Sequence, residues 1–475
     1  MNIILNADSY KYGMFNMYPA NAETVYSYIE SRGGEWDSTV FFGLQGFIKE
    51  YLLTPITQKD IDEAEEVIVA HGLPFYREGW EYILRVHNGR LPLVIKSVDE
   101  GSIIPTHNVL VTVENTDPKC WWLTTFIETA LLRAVWYPTT VATNSYESKK
   151  LILKALEKTG SPALIDFKLH DFGMRGVSSA ESAAIGGAAH LINFKGTDNI
   201  NALMWIKKNY SCDMAGFSIP ASEHSVITSW GQDREVDAYR NVISKHAKPG
   251  GLVACVSDSY DIYEACKLWG TVLKEDVLNS GVTLVVRPDS GNPSEVVLNC
   301  VRILETYFGS TKNEKGFAIL NNVRVIQGDG IDHAAIRSIL FVLELNGYSA
   351  DNVSFGQGGG LLQSLDRDTL KFAMKASSIS IRTTDGGLEV RDVFKNPVTD
   401  SGKKSKKGRV TLCKNQNQQY YTGTDASVES ILETVFLNGE LVKEITLEEV
   451  RTNTELPLLE NATAGHSSSV YAPMV

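Results

Sequence analysis

Between residues 161 and 365 the chain repeats one pattern. A short, β-branched apolar run stops abruptly in polar or glycine residues, and an amphipathic stretch follows. LIDFKLHDFG ends at His170 and Asp171, HLINFKGTD at Lys195 and Asp198, and GFSIPASEH at Glu223 and His224. LVACVSDS ends at Asp258, TLVVRPDSGNP at Arg287 and Asp289, VRVIQGDG at Gly328 and Asp329, and NVSFGQGGG at Gly356 and Gly358 to Gly360. Continuous rather than alternating apolar runs suit strands buried on both faces. The intervening segments predict helices: PSEVVLNCVRILETYF places Val296, Val297, Cys300, Val301 and Leu304 at helical spacing, with Pro293 in its first turn. Strand alternating with helix predicts an α/β fold with a parallel sheet. We read it as an irregular barrel of about seven strands, with an open sheet as the alternative. In either form ligands bind beyond the carboxyl ends of the strands, which is where the polar residues fall.

The flanks follow a different rule. Residues 91–116 alternate apolar and polar positions between Gly and Pro turns, as antiparallel strands do. SISIRTTDGG, GRVTLCKNQNQQYYTG and ETVFLNGELVKEIT repeat that style, with Asn438-Gly439 as a hairpin turn. The segment from Trp121 to Lys158 predicts helix with a break at Pro138. The expected organisation is a discontinuous β-rich α+β domain, residues 1–160 and 366–475, with the barrel, residues 161–365, inserted into it. The tail after Leu459 reads as frayed.

Composition removes several classes of function. A net charge of −12 with scattered acids disfavours nucleic-acid binding. Six cysteines without a C-x-x-C pair predict reduced, buried thiols rather than a disulfide scaffold. No basic leader is visible, nor any apolar run near the roughly 20 residues of a membrane span. A cytoplasmic protein without membrane partners is expected.

Four constellations carry chemistry. Gly356 and Gly358 to Gly360 follow a strand and precede LLQSL, a helix start, so backbone N–H groups and a helix N-terminus could cradle a phosphate. Arg287, Asp289 and Gly291 in RPDSGNP offer a phosphate-binding cation, a carboxylate for ribose hydroxyls or Mg²⁺, and a turn. Asp258 and Asp329 add carboxylates at neighbouring strand ends. His224, beside Glu223, is the ionisable residue best placed for function at neutral pH. Phe172 and Tyr10 could stack on a planar ring. The run at residues 403–409, KKSKKGR, reads as a solvated loop or a phosphate-capturing one.

These strings stand in order with DSYK from Asp8, VFFGLQ from Val40, ENTDP from Glu114 and WYPTTVATNS from Trp136. KLHDFGMRGVSS follows from Lys168, then NFKGTD from Asn193, PASEHS from Pro220 and SKKGR near the end. The series resembles the nicotinamide phosphoribosyltransferases, of the type II phosphoribosyltransferase family. The resemblance implies transfer of 5-phosphoribosyl from 5-phosphoribosyl-1-diphosphate to nicotinamide, with Mg²⁺ and with ATP as a coupled co-substrate. It also implies a homodimer with shared sites. By motif, Phe172 and the partner chain's Tyr10 would clamp the base, and Asp198 would accept its carboxamide N–H. Arg175 would contact base or phosphate. Arg287, Asp289, Gly328, Asp329, Gly358 and Gly359 would hold the ribose phosphate, Asp289 also reaching Mg²⁺. Arg367, Lys375, Lys395 and Lys403 resemble the cationic set that meets phosphates. His224 would be phosphorylated by ATP, with Asp258 and Glu223 orienting its ring. Nicotinate phosphoribosyltransferase is the alternative, and Asp198 discriminates, since a second carboxylate beside it would be repelled. The chain departs from the family pattern at Met174, Ser222 and Gln357, in a short loop after Arg32, and in a longer 379–391 segment.

Overall fold

A computed structural model describes residues 2–399, 404–424 and 429–462. The chain forms two compact units: Met1–Thr143 with Lys208–Cys212 and Asp366–Val475, and Asn144–Lys207 with Asp213–Leu365. The first division thus falls at residue 143 rather than 160. Helix Glu128–Thr159 is continuous, and Ile152 and Leu156 on its second half are buried in the core of the second unit. Lys208–Cys212 groups with the first unit because Tyr210 Oη donates to Glu100 Oε2 at 2.6 Å and Gln45 Nε2 to the Asn209 carbonyl at 2.7 Å. The expected break at Pro138 does not occur. Proline removes one helical donor, but hydroxyls of Thr140 and Thr143 engage the carbonyls of Trp136 and Thr139 one turn back, and Gly43 lets its backbone approach the ring of Pro138.

The first unit is built on a seven-stranded sheet in the order Leu388–Asp392, Phe372–Arg382, Ala22–Ser31, Val109–Asn115, Leu93–Ser97, Glu433–Leu437 and Glu440–Leu441. Its pairings are antiparallel, and N-terminal Tyr28 stands opposite Lys375 from the C-terminal third. The two ends of the chain therefore share one sheet. Asn438 and Gly439 both have positive φ, 51° and 85°, as the tight hairpin requires. The long 379–391 segment is a hairpin of Phe372–Arg382 with Leu388–Asp392.

The second unit contains the barrel. Six parallel strands run in the order Gly196–Thr197, Leu169–Asp171, Val353–Gln357, Val323–Gln327, Thr283–Arg287 and Leu252–Val256. Isolated parallel bridges join Phe217 to Gly196 at one edge and Ala221 to Ala254 at the other. The segment 217–221 thus occupies the seventh position and links the two edges. It contains Pro220, which cannot donate to a ladder, so it makes bridges rather than a regular strand. Val253, Cys255, Leu284, Val286, Val325 and Phe355 belong to one large core with the surrounding helices, whereas Ala254, Val285 and Ile326 form a separate small cluster with Phe172 and Ile219. That alternation is a strand buried on both faces.

All six cysteines are free, and five are buried. No helix among the described residues is long and apolar enough to cross a membrane. The frayed tail expected after Leu459 lies mostly outside the described residues, the last helix ending at Ala462.

Candidate active site

Parallel strands end on one side, so the residues that follow them converge there. Phe172 follows the Leu169–Asp171 strand and is half-buried, with its backbone N–H donating to the Gln357 carbonyl at 3.0 Å. The guanidinium of Arg287 lies 5.3 Å from the centre of its ring. Two glycines make room for that ring: a Cβ at Gly356 would fall 2.0 Å from Phe172 Cε2, and one at Gly328 would fall 3.2 Å from it and 3.4 Å from Arg287 Nε. Gly328 and Gly356 therefore shape the seat of the ring. The sequence alone marks Gly356 only as part of a phosphate loop.

Arg287 Nη2 donates to Asp289 Oδ1 at 2.8 Å, in a partly buried ion pair. His224 Nε2 lies 2.9 Å from Asp258 Oδ1, and the other carboxylate oxygen accepts the Asp289 N–H at 2.9 Å and Ser290 Oγ–H at 2.6 Å. Asp258 is thus held from both sides. Burial alone would raise its carboxyl, but hydrogen bonds from Ser290, His224 and the Asp289 amide outweigh it and keep the carboxyl below the ordinary range. Glu223 does not orient the imidazole as expected. Its carboxylate takes the Ser225 hydroxyl, and the ring of His224 is oriented by Asp258.

Asp198 is exposed, and its Oδ1 accepts from Ser218 Oγ at 2.6 Å. Arg175 is exposed in the turn Met174–Gly176, and Met174 beside it is 37% exposed. Ser222 has a clear local role, its Oγ accepting the Val256 N–H at 3.0 Å. Gln357 is buried, and neither polar atom of its amide has a hydrogen-bond partner. The helix expected after the glycine run is a single turn, Gly359–Leu362. A turn so short has little dipole, so phosphate binding there would rest on backbone N–H groups. A Cβ at Gly359 would meet nothing within 4 Å, which leaves that backbone approachable. Asp329 is exposed just past the end of the Val323–Gln327 strand.

The remaining expected residues belong to the first unit. Tyr10 is 61% exposed, with Lys11 Nζ 5.2 Å from its ring centre. Lys375 is half-buried, and its ammonium is pushed down by burial and by Arg32, Lys11 and Arg367, with Glu128 acting in the opposite direction. Two of these cations are already paired, Lys11 with Glu128 and Arg32 with Glu30 at 2.9 Å. Sequence patterns do not single out Arg32 or Lys11. Arg32 donates through Nε to Glu30 Oε1 at 2.9 Å, while its Nη2 is buried without a hydrogen-bond partner, a feature that only tertiary packing reveals. Lys395 is exposed, its backbone clipped to Ser405 at 2.8 and 2.9 Å. Lys403 lies outside the described residues. Part of the basic run is neutralised: Lys406 pairs with Glu30, and Arg409 takes Glu114 with two bonds of 2.6 Å.

Other polar clusters are accounted for locally. His87, Asp117 and Cys120 stand together, but Asp117 already accepts from Lys119 N–H, Tyr82 Oη and His87, and so caps the Pro118–Cys120 turn. His190 is buried and stacked on Phe194.

Residues 167–440 match the nicotinate phosphoribosyltransferase family, and residues 2–95 match the nicotinamide phosphoribosyltransferase N-terminal domain. A protein of Xanthomonas campestris pv. campestris named nicotinamide phosphoribosyltransferase is 49% identical over 465 residues, covering 96% of this chain and 98% of that one. One of the same name from Acinetobacter baylyi is 33% identical, covering 94% and 96%. Among solved structures, nicotinate-nucleotide pyrophosphorylase from Pyrococcus furiosus shares the fold with a TM-score of 0.61 at 16% identity, over 97% of this chain and 96% of that one. Human nicotinic acid phosphoribosyltransferase shares it at 0.54 and 16%, over 95% and 93%. With both family models matched and half its positions shared along nearly the whole length of a relative, the chain belongs to the nicotinate and nicotinamide phosphoribosyltransferase family of enzymes.

Proposed function

We propose that the protein transfers the 5-phosphoribosyl group from 5-phosphoribosyl-1-diphosphate to nicotinamide, giving nicotinamide mononucleotide and diphosphate. The observation that carries this reading is the convergence of Phe172, Arg287 and Asp289 at the end of the barrel that also presents Asp198. Phe172 offers a face for the pyridine ring, and Arg287 and Asp289 a cation and a carboxylate for the ribose phosphate. Asp198, with Ser218 on Oδ1, would receive the carboxamide N–H on its other oxygen. Nicotinate would bring a second negative charge to the same place.

The chemistry asks for no proton transfer to the ring. The pyridine nitrogen lone pair attacks C1 of the ribose, the C1–oxygen bond to diphosphate breaks, and the electron pair leaves on diphosphate. Positive charge builds on the ribose and ends on the ring nitrogen. Catalysis therefore consists mainly of positioning the two reactants and neutralising the departing diphosphate.

Mg²⁺ fits this donor set. Asp289 would supply one carboxylate through the oxygen not taken by Arg287, and Mg²⁺ is commonly held by one or two carboxylates together with substrate phosphates. When bound it would add charge neutralisation for diphosphate. ATP fits at His224: with Nε2 donating its proton to Asp258, the Nδ1 lone pair is left as a nucleophile for a phosphoryl group. The cations Lys375, Arg367, Arg32 and Lys11, with Tyr10, would serve phosphates and base in a homodimer with shared sites, in the cytoplasm.

The test is a steady-state assay with nicotinamide and nicotinate, with and without ATP, on the protein and on Asp198→Asn. A large kcat/KM preference for nicotinamide that narrows in the variant is expected. Equal use of nicotinate by the unaltered protein would move the assignment to the acid-specific reaction.

A further inference from the structure

Beneath the acceptor pocket sits a carboxylate that the reaction does not use. Asp171 is completely buried, although it immediately precedes Phe172 at the strand end. Its Oδ1 accepts the Gly173 N–H at 2.7 Å, and its Oδ2 accepts Asn199 Nδ2–H at 2.9 Å. Asn199 is also buried, donates to the Ala183 carbonyl at 2.8 Å, and accepts the Ala202 N–H at 3.2 Å. The Asp171 carbonyl in turn accepts the N–H of Asp198 at 3.0 Å. The helix Ala180–Leu191 closes over the pair at Gly187, where a Cβ would fall 2.4 Å from Asn199 Nδ2 and 2.8 Å from Asp171 Oδ2.

Phe172 and Asp198 come from different strands, yet each is flanked by a member of this one buried pair. We propose that Asp171 is a positioning residue for the acceptor, fixing Phe172 through Gly173 on one side and Asp198 through Asn199 on the other. The inference rests on the reading of Phe172 and Asp198 as the contacts of the nicotinamide. It adds a specificity element outside the pocket itself: the ring face and the amide acceptor keep one spacing because a single carboxylate spans them.

The charge of Asp171 matters because both its partners are donors. Burial, helped by the charge of Asp198, pushes its carboxyl up to about 6 against the hydrogen bonds from Gly173 and Asn199. Other charged groups on the surrounding elements are His170 on its own strand, Arg175 in the following turn, Lys195 before the next strand, Glu181 and His190 on the overlying helix, and Lys207 and Lys208 on the Ile200–Asn209 helix. His190 is turned to Ser145 and the Gly196 carbonyl, and Lys195 pairs with Asp166. Once protonated, Asp171 must donate, and neither the Gly173 N–H nor the Asn199 amide N–H can accept. One bond is then lost and the pocket loosens.

The experiment compares Asp171→Asn, the swap Asp171→Asn with Asn199→Asp, and Asp198→Asn. In Asp171→Asn an amide N–H must face another donor. We expect the KM for nicotinamide to rise about tenfold, as loss of one charged hydrogen bond of about 1.5 kcal/mol gives, while the KM for the donor moves less than twofold. The swap restores one donor to one acceptor between positions 171 and 199 but turns a carboxylate oxygen toward the Ala183 carbonyl, so it should recover the nicotinamide KM only in part. The fall in kcat/KM for nicotinamide below about pH 6 should lose its Asp171 component in Asp171→Asn. Equal changes in both KM values, or an unchanged nicotinamide KM in Asp171→Asn, would overturn the proposal. If Asp198→Asn shifts acceptor preference while Asp171→Asn does not, only this inference fails. If Asp198→Asn changes nothing, the acceptor pocket itself is misassigned.

Discussion

His224 and Asp258 are joined by a 2.9 Å hydrogen bond between Nε2 and Oδ1, and the second oxygen of Asp258 is tied to the Asp289 amide and Ser290. The imidazole that would carry a phosphoryl group and the carboxylate that pairs with Arg287 thus share one anchor. His224→Ala should abolish ATP hydrolysis and leave ATP-independent synthesis measurable. Retained hydrolysis in that variant would exclude His224 as the phosphoacceptor. Asp258→Asn should lower ATP hydrolysis roughly 10–100-fold, by analogy with the loss of a hydrogen-bond partner that orients a metal-ligating histidine. Phosphate release assays check both.

Asp258 also predicts a pH effect on stability. Its folded carboxyl titrates below the ordinary value of 3.8. The contribution is therefore fully present above about pH 4 and is lost as pH falls through the folded value. Urea denaturation of the unaltered protein and Asp258→Asn should differ most at neutral pH and converge on acidification. A difference that grows toward acid would contradict the depressed value.

Gly356 should tolerate no side chain. A Cβ 2.0 Å from Phe172 Cε2 forces the ring or the strand to move, and overpacking of this kind costs about 1–3 kcal/mol. A ring displaced by an ångström can cost on the order of 100-fold in rate. Gly356→Ala should therefore depress kcat/KM for nicotinamide far more than it lowers the melting temperature. Gly359→Ala, where a Cβ meets nothing, should leave the melting temperature unchanged.

Arg287 serves two partners at once, the Phe172 face and Asp289. Lysine keeps the charge but loses the planar fork and the stacked face. Arg287→Lys should raise the KM for the phosphoribosyl donor by about tenfold, equivalent to one charged hydrogen bond. An unchanged donor KM would remove Arg287 from the phosphate site.

In the first unit, Tyr210 Oη donates to buried Glu100 Oε2 at 2.6 Å. Tyr210→Phe leaves that oxygen without this donor and should cost about 1–3 kcal/mol in denaturant titrations. Burial raises the Glu100 carboxyl, against bonds from Gln45 and Tyr210. The native state therefore holds its proton to higher pH than the unfolded chain. That contribution is fully present below the ordinary value of 4.5 and is lost as pH rises through the folded value.

The seven strand ends are legible in the sequence because a strand buried on both faces must be apolar throughout and its exit must be polar. All seven segments reach the ring, but two of the apolar runs are not themselves strands: His190 and Leu191 of HLINF end the Ala180–Leu191 helix and only Gly196–Thr197 pair, LIDF lies in a 3-10 turn before Leu169–Asp171, and 217–221 joins through bridges. Phe172, Asp198, His224, Asp258, Arg287 and Asp289 can be named for the same reason, with the motif order supplying their roles. Pro138 misleads because local chemistry predicts a break, while packing against Gly43 and the threonine hydroxyls keep the helix whole. The helix after Gly358 is shorter than its pattern suggests, since periodicity does not report that four residues complete it.

By itself the sequence determined which residues stand at the barrel's functional end, because hydrophobic period and chain order are one-dimensional facts. Which of them touch was decided only by tertiary structure. Asp258 rather than Glu223 holds His224, Gly356 makes way for Phe172, and buried Asp171 and Asn199 brace Phe172 and Asp198 from neighbouring strands. Those relations depend on strand register and on where a Cβ fails to fit, quantities that exist only once distant segments are packed together.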